Sequence, residues 1–192
     1  YVNFGTNHHR IKDGMLFVDK KQICKEKIKL TKEFARLLGY YLAEGHVSFN
    51  INRPNSGTVC FTFHSEEDKY INDVCQLIKK YFNIEPYISH LLENNTKQIL
   101  ITNNVLAHLF KTLFGTGSSK KKIYSRFLYL PKDKIKQLLK GYFLGDGNKN
   151  YRNLRVTSTS KELIQQIKFL SLRFGILPSE YKRDKEKIIS KI

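Results

Sequence analysis

Leu37-Leu38-Gly39-Tyr40-Tyr41-Leu42-Ala43-Glu44-Gly45 returns 102 positions later as Leu139-Lys140-Gly141-Tyr142-Phe143-Leu144-Gly145-Asp146-Gly147. Both stretches close a helical pattern. Before the first, Leu30, Phe34, Leu37, Leu38, Tyr41 and Leu42 recur at helical spacing, with Thr31 as an N-cap and Glu33 in the first turn. Before the second, Ile135, Leu138, Leu139, Tyr142 and Phe143 recur in the same way, with Asp133 as the expected cap. A second landmark follows in the same order. Tyr81-Phe82-Asn83-Ile84-Glu85-Pro86 matches Arg173-Phe174-Gly175-Ile176-Leu177-Pro178 at an offset of 92. Two landmarks in one order mean a duplicated unit, and the smaller second offset gives the first copy the longer hairpin.

The segments between the landmarks define that unit. Val47, Phe49 and Ile51 alternate with Ser48, Asn50 and Asn52. After a turn over residues 52–57, Val59, Phe61 and Phe63 alternate with Cys60, Thr62 and His64. This predicts a β-hairpin with one apolar and one polar face. A helix over 66–82, strands over 86–92 and 98–102, and a helix over 104–114 follow. In the second copy a strand is expected over 154–159 and a helix over 161–174. The fold class is α+β, a duplicated αββαββα unit with pseudo-twofold symmetry. The expected divisions are a lead-in at 1–29, a first repeat at 30–130 and a second at 131–192. The second repeat reads as short, ending near its third and fourth strands with no terminal helix.

Charge narrows the class of partner. Lys and Arg number 34 against 17 Asp and Glu, a net charge of +17, which favours a polyanion because neutralised phosphates release their counterions. Cys24, Cys60 and Cys75 are odd in number and lack CxxC spacing, which argues against a disulfide framework or a structural zinc site. No apolar run approaches the roughly 20 residues that span a bilayer, and the first residues lack a signal-peptide core. The expected location is cytoplasmic.

The chemistry sits at the ends of the two motif helices. Gly39 and Ala43 in one, and Gly141 and Gly145 in the other, are small residues four apart, which lets two helix backbones approach closely. Packing along them brings Glu44 and Asp146 side by side. An acid at a helix C-terminus meets the negative end of the dipole, and this sequence takes that penalty twice at matching positions. Two adjacent carboxylates remain ionised when a cation lies between them, and a hard divalent ion such as Mg²⁺ suits oxygen ligands. The polar hairpin faces, Ser48, Asn50, Asn52, Arg53, Thr62 and His64 in the first copy and Asn148, Asn150, Arg152, Arg155 and Thr157 in the second, suit a major groove. Lys120, Lys121, Lys182 and Arg183 read as phosphate contacts.

The paired motifs resemble those of the LAGLIDADG homing endonucleases, over roughly residues 30–180 and in the form found in archaeal and intein-associated members. The resemblance implies a monomer with internal pseudo-twofold symmetry, with two saddle-shaped antiparallel sheets over double-stranded DNA and the motif helices at its centre. It implies Mg²⁺, with Mn²⁺ as substitute, held by Glu44 and Asp146 with Gly45 and Gly145 in the same shell. The implied reaction is hydrolysis of both strands with short 3′ overhangs. Basic residues beside the acids belong to the same pattern, here Lys149 and one of Lys120 to Lys122, with Lys122 chosen. A non-cutting relative of the fold, an intron RNA maturase or a regulator, is the alternative. Thr6-Asn7-His8-His9 faintly resembles a splicing-domain element of inteins.

Overall fold

The computed structural model describes the backbone of residues 2–3, 10–12, 15–18, 21–25, 27–146, 148–150, 153–183 and 187–191. It describes the side chains of residues 28–53, 56–145 and 155–181. Short strands come first. β1 (Val2–Asn3) pairs antiparallel with β5 (Lys27–Ile28), and β2 (Arg10–Lys12), β3 (Met15–Val18) and β4 (Lys21–Lys25) form a three-stranded antiparallel sheet.

The first repeat opens with α1 (Lys32–Glu44). Thr31 caps it as its sequence position requires, its Oγ1 accepting from the Phe34 amide at 3.1 Å. The helix ends where the Gly45 amide donates back to the Tyr41 carbonyl in extended backbone. An unbroken run from Leu37 to Leu42 is buried, so α1 is covered on all sides and is the axis of the core. Strands β6 (Gly45–Asn50), β7 (Arg53–His64), β8 (Tyr87–Leu91) and β9 (Thr96–Thr102) form an antiparallel sheet in the order β6-β7-β9-β8. Val59, Phe61, Phe63, Ile99 and Ile101 are buried on its inner face, beneath α1 and the flanking helices α2 (Asp68–Phe82) and α3 (Asn104–Phe114). Tyr41 stacks with Phe110 and Phe114 of α3, with ring centroids 4.5 and 5.2 Å away. Arg36 of α1 donates two bonds, 2.8 and 2.7 Å, to Asp73 of α2, and the Tyr40 hydroxyl adds a third at 3.1 Å. That planar, bidentate pair fixes α2 against α1.

The second repeat runs α4 (Lys132–Asp146), β10 (Asn148–Asn150), β11 (Asn153–Ser158), α5 (Lys161–Leu172), β12 (Ser179–Arg183) and β13 (Lys187–Lys191). Its sheet order, β10-β11-β13-β12, is that of the first repeat strand for strand. Ser160 caps α5, accepting from the Leu163 amide.

Two local expectations need correction. The first hairpin turns at Ile51-Asn52, not over residues 52–57. Asn50 Oδ1 accepts from the Asn52 amide, and β7 absorbs the extra residues as a bulge between Asn50↔Arg53 and Phe49↔Gly57. Ile51 is consequently 96% exposed instead of facing the core. Asp133 lies in the first turn of α4, whose leading amides, those of Lys134 and Ile135, donate to the Pro131 carbonyl. The third and fourth strands expected near the end of the second repeat are β12 and β13, in a lysine-rich stretch whose weak apolar alternation gives no bounds for them in the sequence.

The two repeats meet at the motif helices. A Cβ built on Gly39 would fall 2.1 Å from the Leu138 carbonyl oxygen and 2.8 Å from the Tyr142 nitrogen. One built on Gly141 would fall 2.2 Å from the Arg36 carbonyl oxygen and 2.9 Å from the Tyr40 nitrogen. Residues 36 and 138, and 40 and 142, are related by the same 102-residue shift as the glycines themselves. The seam therefore maps onto itself, and the pseudo-twofold axis passes between Gly39 and Gly141. No flexible side chain is available to move aside, since the neighbours are backbone. Gly39→Ala and Gly141→Ala should each lower the unfolding free energy by about 3 kcal/mol or more, the upper end for overpacking. Gly175→Ala meets nothing within 4 Å and should cost about 1–2 kcal/mol for its left-handed φ alone. Urea denaturation compares the three.

Candidate active site at the crossing of the motif helices

One turn beyond the glycine contact, the second pair of small residues meets. A Cβ on Gly145 would lie 2.6 Å from Ala43 Cβ, 2.9 Å from Glu44 Cγ and 3.4 Å from Glu44 Oε1. The half-buried Glu44 side chain thus lies across the backbone of the residue that precedes Asp146. Asp146 ends α4 at the position matching Glu44; its side chain lies outside the described residues, as do the side chains of Asn148, Lys149, Asn150, Lys182 and Arg183. Arg152 and Thr6-Asn7-His8-His9 lie outside them altogether.

A lysine closes the end of α1. Lys121 Nζ donates to the carbonyls of Leu42 and Ala43 at 2.8 and 2.9 Å, satisfying two acceptors that the helix leaves open and placing a cation at the negative end of its dipole. The Lys121 carbonyl accepts in turn from Ser160 Oγ at 2.5 Å, and Ser160 is the buried cap of α5. Two residues on, Gln166 of α5 clasps the Ile123 backbone through both its amide groups, at 2.6 and 2.9 Å. The inter-repeat segment is thus bonded to α1 on one side and to α5 on the other. It borders a recess lined by Leu42, Ala43, Ser118, Lys121, Thr157, Ser158 and Thr159. Partial burial first, and the Lys121 ammonium second, hold His46 below the ordinary histidine pKa, so its neutral form is favoured in the fold. Lys120 and Lys122 are exposed, and the Lys122 amide donates to the Phe114 carbonyl.

The polar residues fall on the open face of the first sheet as the alternation requires. Ser48, Asn50 and His64 are exposed and Thr62 is half-buried, while Cys60 on the same face is buried. Asn52 sits in the turn and Arg53 opposite Asn50. The His64 ring contacts the Asn95 side-chain amide at 3.2 Å. Arg155 is exposed on β11, and Thr157 lines the recess. The second hairpin, expected over 86–92 and 98–102, adds outward residues to this face that the sequence alone does not assign. Gln98 pairs with Thr62 on one side and Ser89 on the other, and Thr96 pairs with His64 and Leu91, so β8 and β9 extend the same face. The signal for them in the sequence is the Gln98, Leu100, Thr102 alternation.

Among the described residues, no three His, Cys, Asp or Glu side chains gather into a metal cluster. The donor described at the seam is the Glu44 carboxylate, a hard oxygen of the kind a divalent cation takes and soft metals do not. Among the described residues, no helix is long and apolar enough to cross a membrane.

The LAGLIDADG-like domain model matches residues 31–115 and 133–191. An uncharacterized protein of Methanocaldococcus jannaschii is 32% identical over 166 residues, 82% of this chain and 19% of its own length. An iron-sulfur cluster assembly SufBD family protein of Mycobacterium tuberculosis is 32% identical over 85% of this chain and 19% of its own length. The DNA-directed RNA polymerase subunit Rpo1C of M. jannaschii is 37% identical over 78% of this chain and 16% of its own. The chain thus spans under a fifth of the length of these relatives. Among solved structures, I-DmoI in complex with DNA and Mn superposes with a TM-score of 0.67 at 15% identity, covering 85% of this chain and 90% of that one.

Replacing Lys121 by Met strips two charge-assisted bonds from the end of α1 and should destabilise the protein by about 1.5–3 kcal/mol. Lys122→Met should stay within about 0.5 kcal/mol. Thermal melts of the two variants read the difference.

Proposed function

The chain belongs to the LAGLIDADG-like domain family, and we propose that it is a site-specific, double-strand DNA endonuclease that depends on a divalent metal and leaves short 3′ overhangs. The observation that supports this most is the crossing itself, where Glu44 lies against the backbone that leads into Asp146. A binding protein gains nothing from a carboxylate at a crowded, half-buried helix end, where the dipole disfavours it. A pair of acids that shares metal ions between two strands gives that placement a purpose.

In this reading Glu44 and Asp146, with the Gly45 and Gly145 backbone, hold Mg²⁺ or Mn²⁺. When bound, the metal supplies an activated water and stabilises the departing 3′ oxygen. The chain's own work is positional. The glycine seam sets the spacing between the acids, and Lys121 holds the end of α1. Lys149 and Lys122 sit in sequence where a cation can offset charge at the phosphate. Ser48, Asn50, Asn52, Arg53, Thr62 and His64, with Asn148, Asn150, Arg152, Arg155 and Thr157, read base edges in the major groove. Lys120, Lys182 and Arg183 meet phosphates, whereas the Lys121 ammonium, expected from the sequence to do the same, is bonded to the end of α1. The protein acts as a monomer whose internal repeats replace a dimer. Its matched segment recurs within an iron-sulfur assembly protein and an RNA polymerase subunit, proteins with no role in common by name. That distribution supports an inserted, intein-associated element, since homing copies a segment without regard to its host.

Cleavage assays on plasmids carrying candidate target DNA and Mg²⁺ test the reading. Glu44→Gln and Asp146→Asn should each slow cutting by about a hundredfold or more, the several kcal/mol that metal-held charge stabilisation supplies. Binding without cutting by the wild-type protein would make it a maturase-like or regulatory binder instead. Affinity should fall with salt at a log–log slope of about −0.9 per phosphate neutralised, and Lys120→Ala should flatten that slope by about one phosphate.

A further inference from the structure

The open face of the first sheet carries a pattern that hydrogen-bonding readout does not explain. Across β7 from Thr58 to His64, β8 and β9, it presents no Lys, Arg, Asp or Glu, although the chain as a whole is at +17. Its outer half instead alternates in rows. Tyr87 lies directly opposite Leu100, the next row holds Ser89, Gln98 and Thr62, and the row after that sets Leu91 opposite Thr96. Tyr87 is 69% exposed, Leu91 is 37% exposed and Leu100 is half-buried. Tyr87 and, at the rim, Leu91 thus add apolar surface to a face that is otherwise uncharged and polar.

A duplex edge fits both kinds of row. Side chains on one strand face repeat every ~6.8 Å, about two base-pair steps of 3.4 Å. In the major groove an A·T pair offers the adenine N6/N7 pair, which a Gln amide matches, and the thymine C5-methyl, which takes apolar contact. Resting on the DNA-reading function proposed above, we infer that the β8–β9 half of this face reads pyrimidine C5-methyl groups. Tyr87 with Leu100, and Leu91, contact two such methyls about four base pairs apart, and Gln98 takes an adenine between them. With thymine as the source of the methyls, those three positions of the half-site are A·T pairs. Methylated cytosine carries the same methyl, so the source must be separated by experiment.

The probe is a library of randomised duplexes made with dTTP, from which the protein selects binders. The winners are remade with dUTP, which removes only the methyl. Binding should weaken about fourfold per lost contact, corresponding to about 0.8 kcal/mol per buried methyl. Leu100→Thr and Tyr87→Ser should erase the sensitivity at one position while leaving the melting temperature and the salt slope unchanged. A parallel selection from a 5-methyl-dCTP library supports the methyl contact with cytosine as its source if methylcytosine displaces thymine at those positions. Equal binding of the thymine and uracil duplexes, with salt-dependent binding intact, overturns the inference and leaves the DNA reading standing. No binding to either duplex overturns the DNA reading itself. Sedimentation as a dimer that Tyr87→Ser dissociates, with no uracil effect, assigns the strip to a second copy and overturns the methyl contact.

Discussion

Two glycines in backbone contact set the terms for everything else in this molecule. Gly39 and Gly141 bring α1 and α4 so close that a single methyl on either would strike a carbonyl oxygen of the other. Helices at that distance cannot slide, because the contact is between main chains and not between adaptable side chains. The next small pair, Ala43 and Gly145, is thereby placed, and after it the acidic ends of the two helices. The burial of α1 on all sides follows from the same contact: one face meets α4, and the others meet the first sheet, α2 and α3.

The symmetry that the seam imposes is not carried through to the periphery. Lys121 reaches the end of α1 from the inter-repeat segment, and its backbone is tied to the cap of α5, so one connection stiffens both halves. Across the seam, His46 follows the first acid where Asn148 follows the second, and His46 feels the Lys121 ammonium. The duplication is thus unequal in sequence where it follows the two acids.

Much of this was legible in the sequence because duplication writes the same physics twice. Gly39 and Ala43 against Gly141 and Gly145 gave the seam, Thr31 gave the start of α1, and alternation from Val47 to Phe63 gave the hairpin and its inner face. What escaped has local causes. The turn at Ile51-Asn52 was hidden by Pro54 and Gly57, strong turn residues that here occupy a bulge in a long strand. The final hairpin lay in a charged stretch with little apolar period. Lys121 could not be told from its two neighbours, since which of three consecutive lysines turns inward depends on tertiary contacts alone. Leu100 and Tyr87 looked like ordinary strand residues until the register set them facing each other on the open side.

On the proposed function, the seam gathers divalent-metal ligands from both repeats at one point. Paramagnetic broadening of backbone amide resonances by substoichiometric Mn²⁺ reads this directly in the protein bound to DNA. The Gly45 and Gly145 signals should broaden together, and Glu44→Gln should abolish the effect at both. Broadening at neither glycine, or broadening of one that persists without the Glu44 carboxylate, would contradict it.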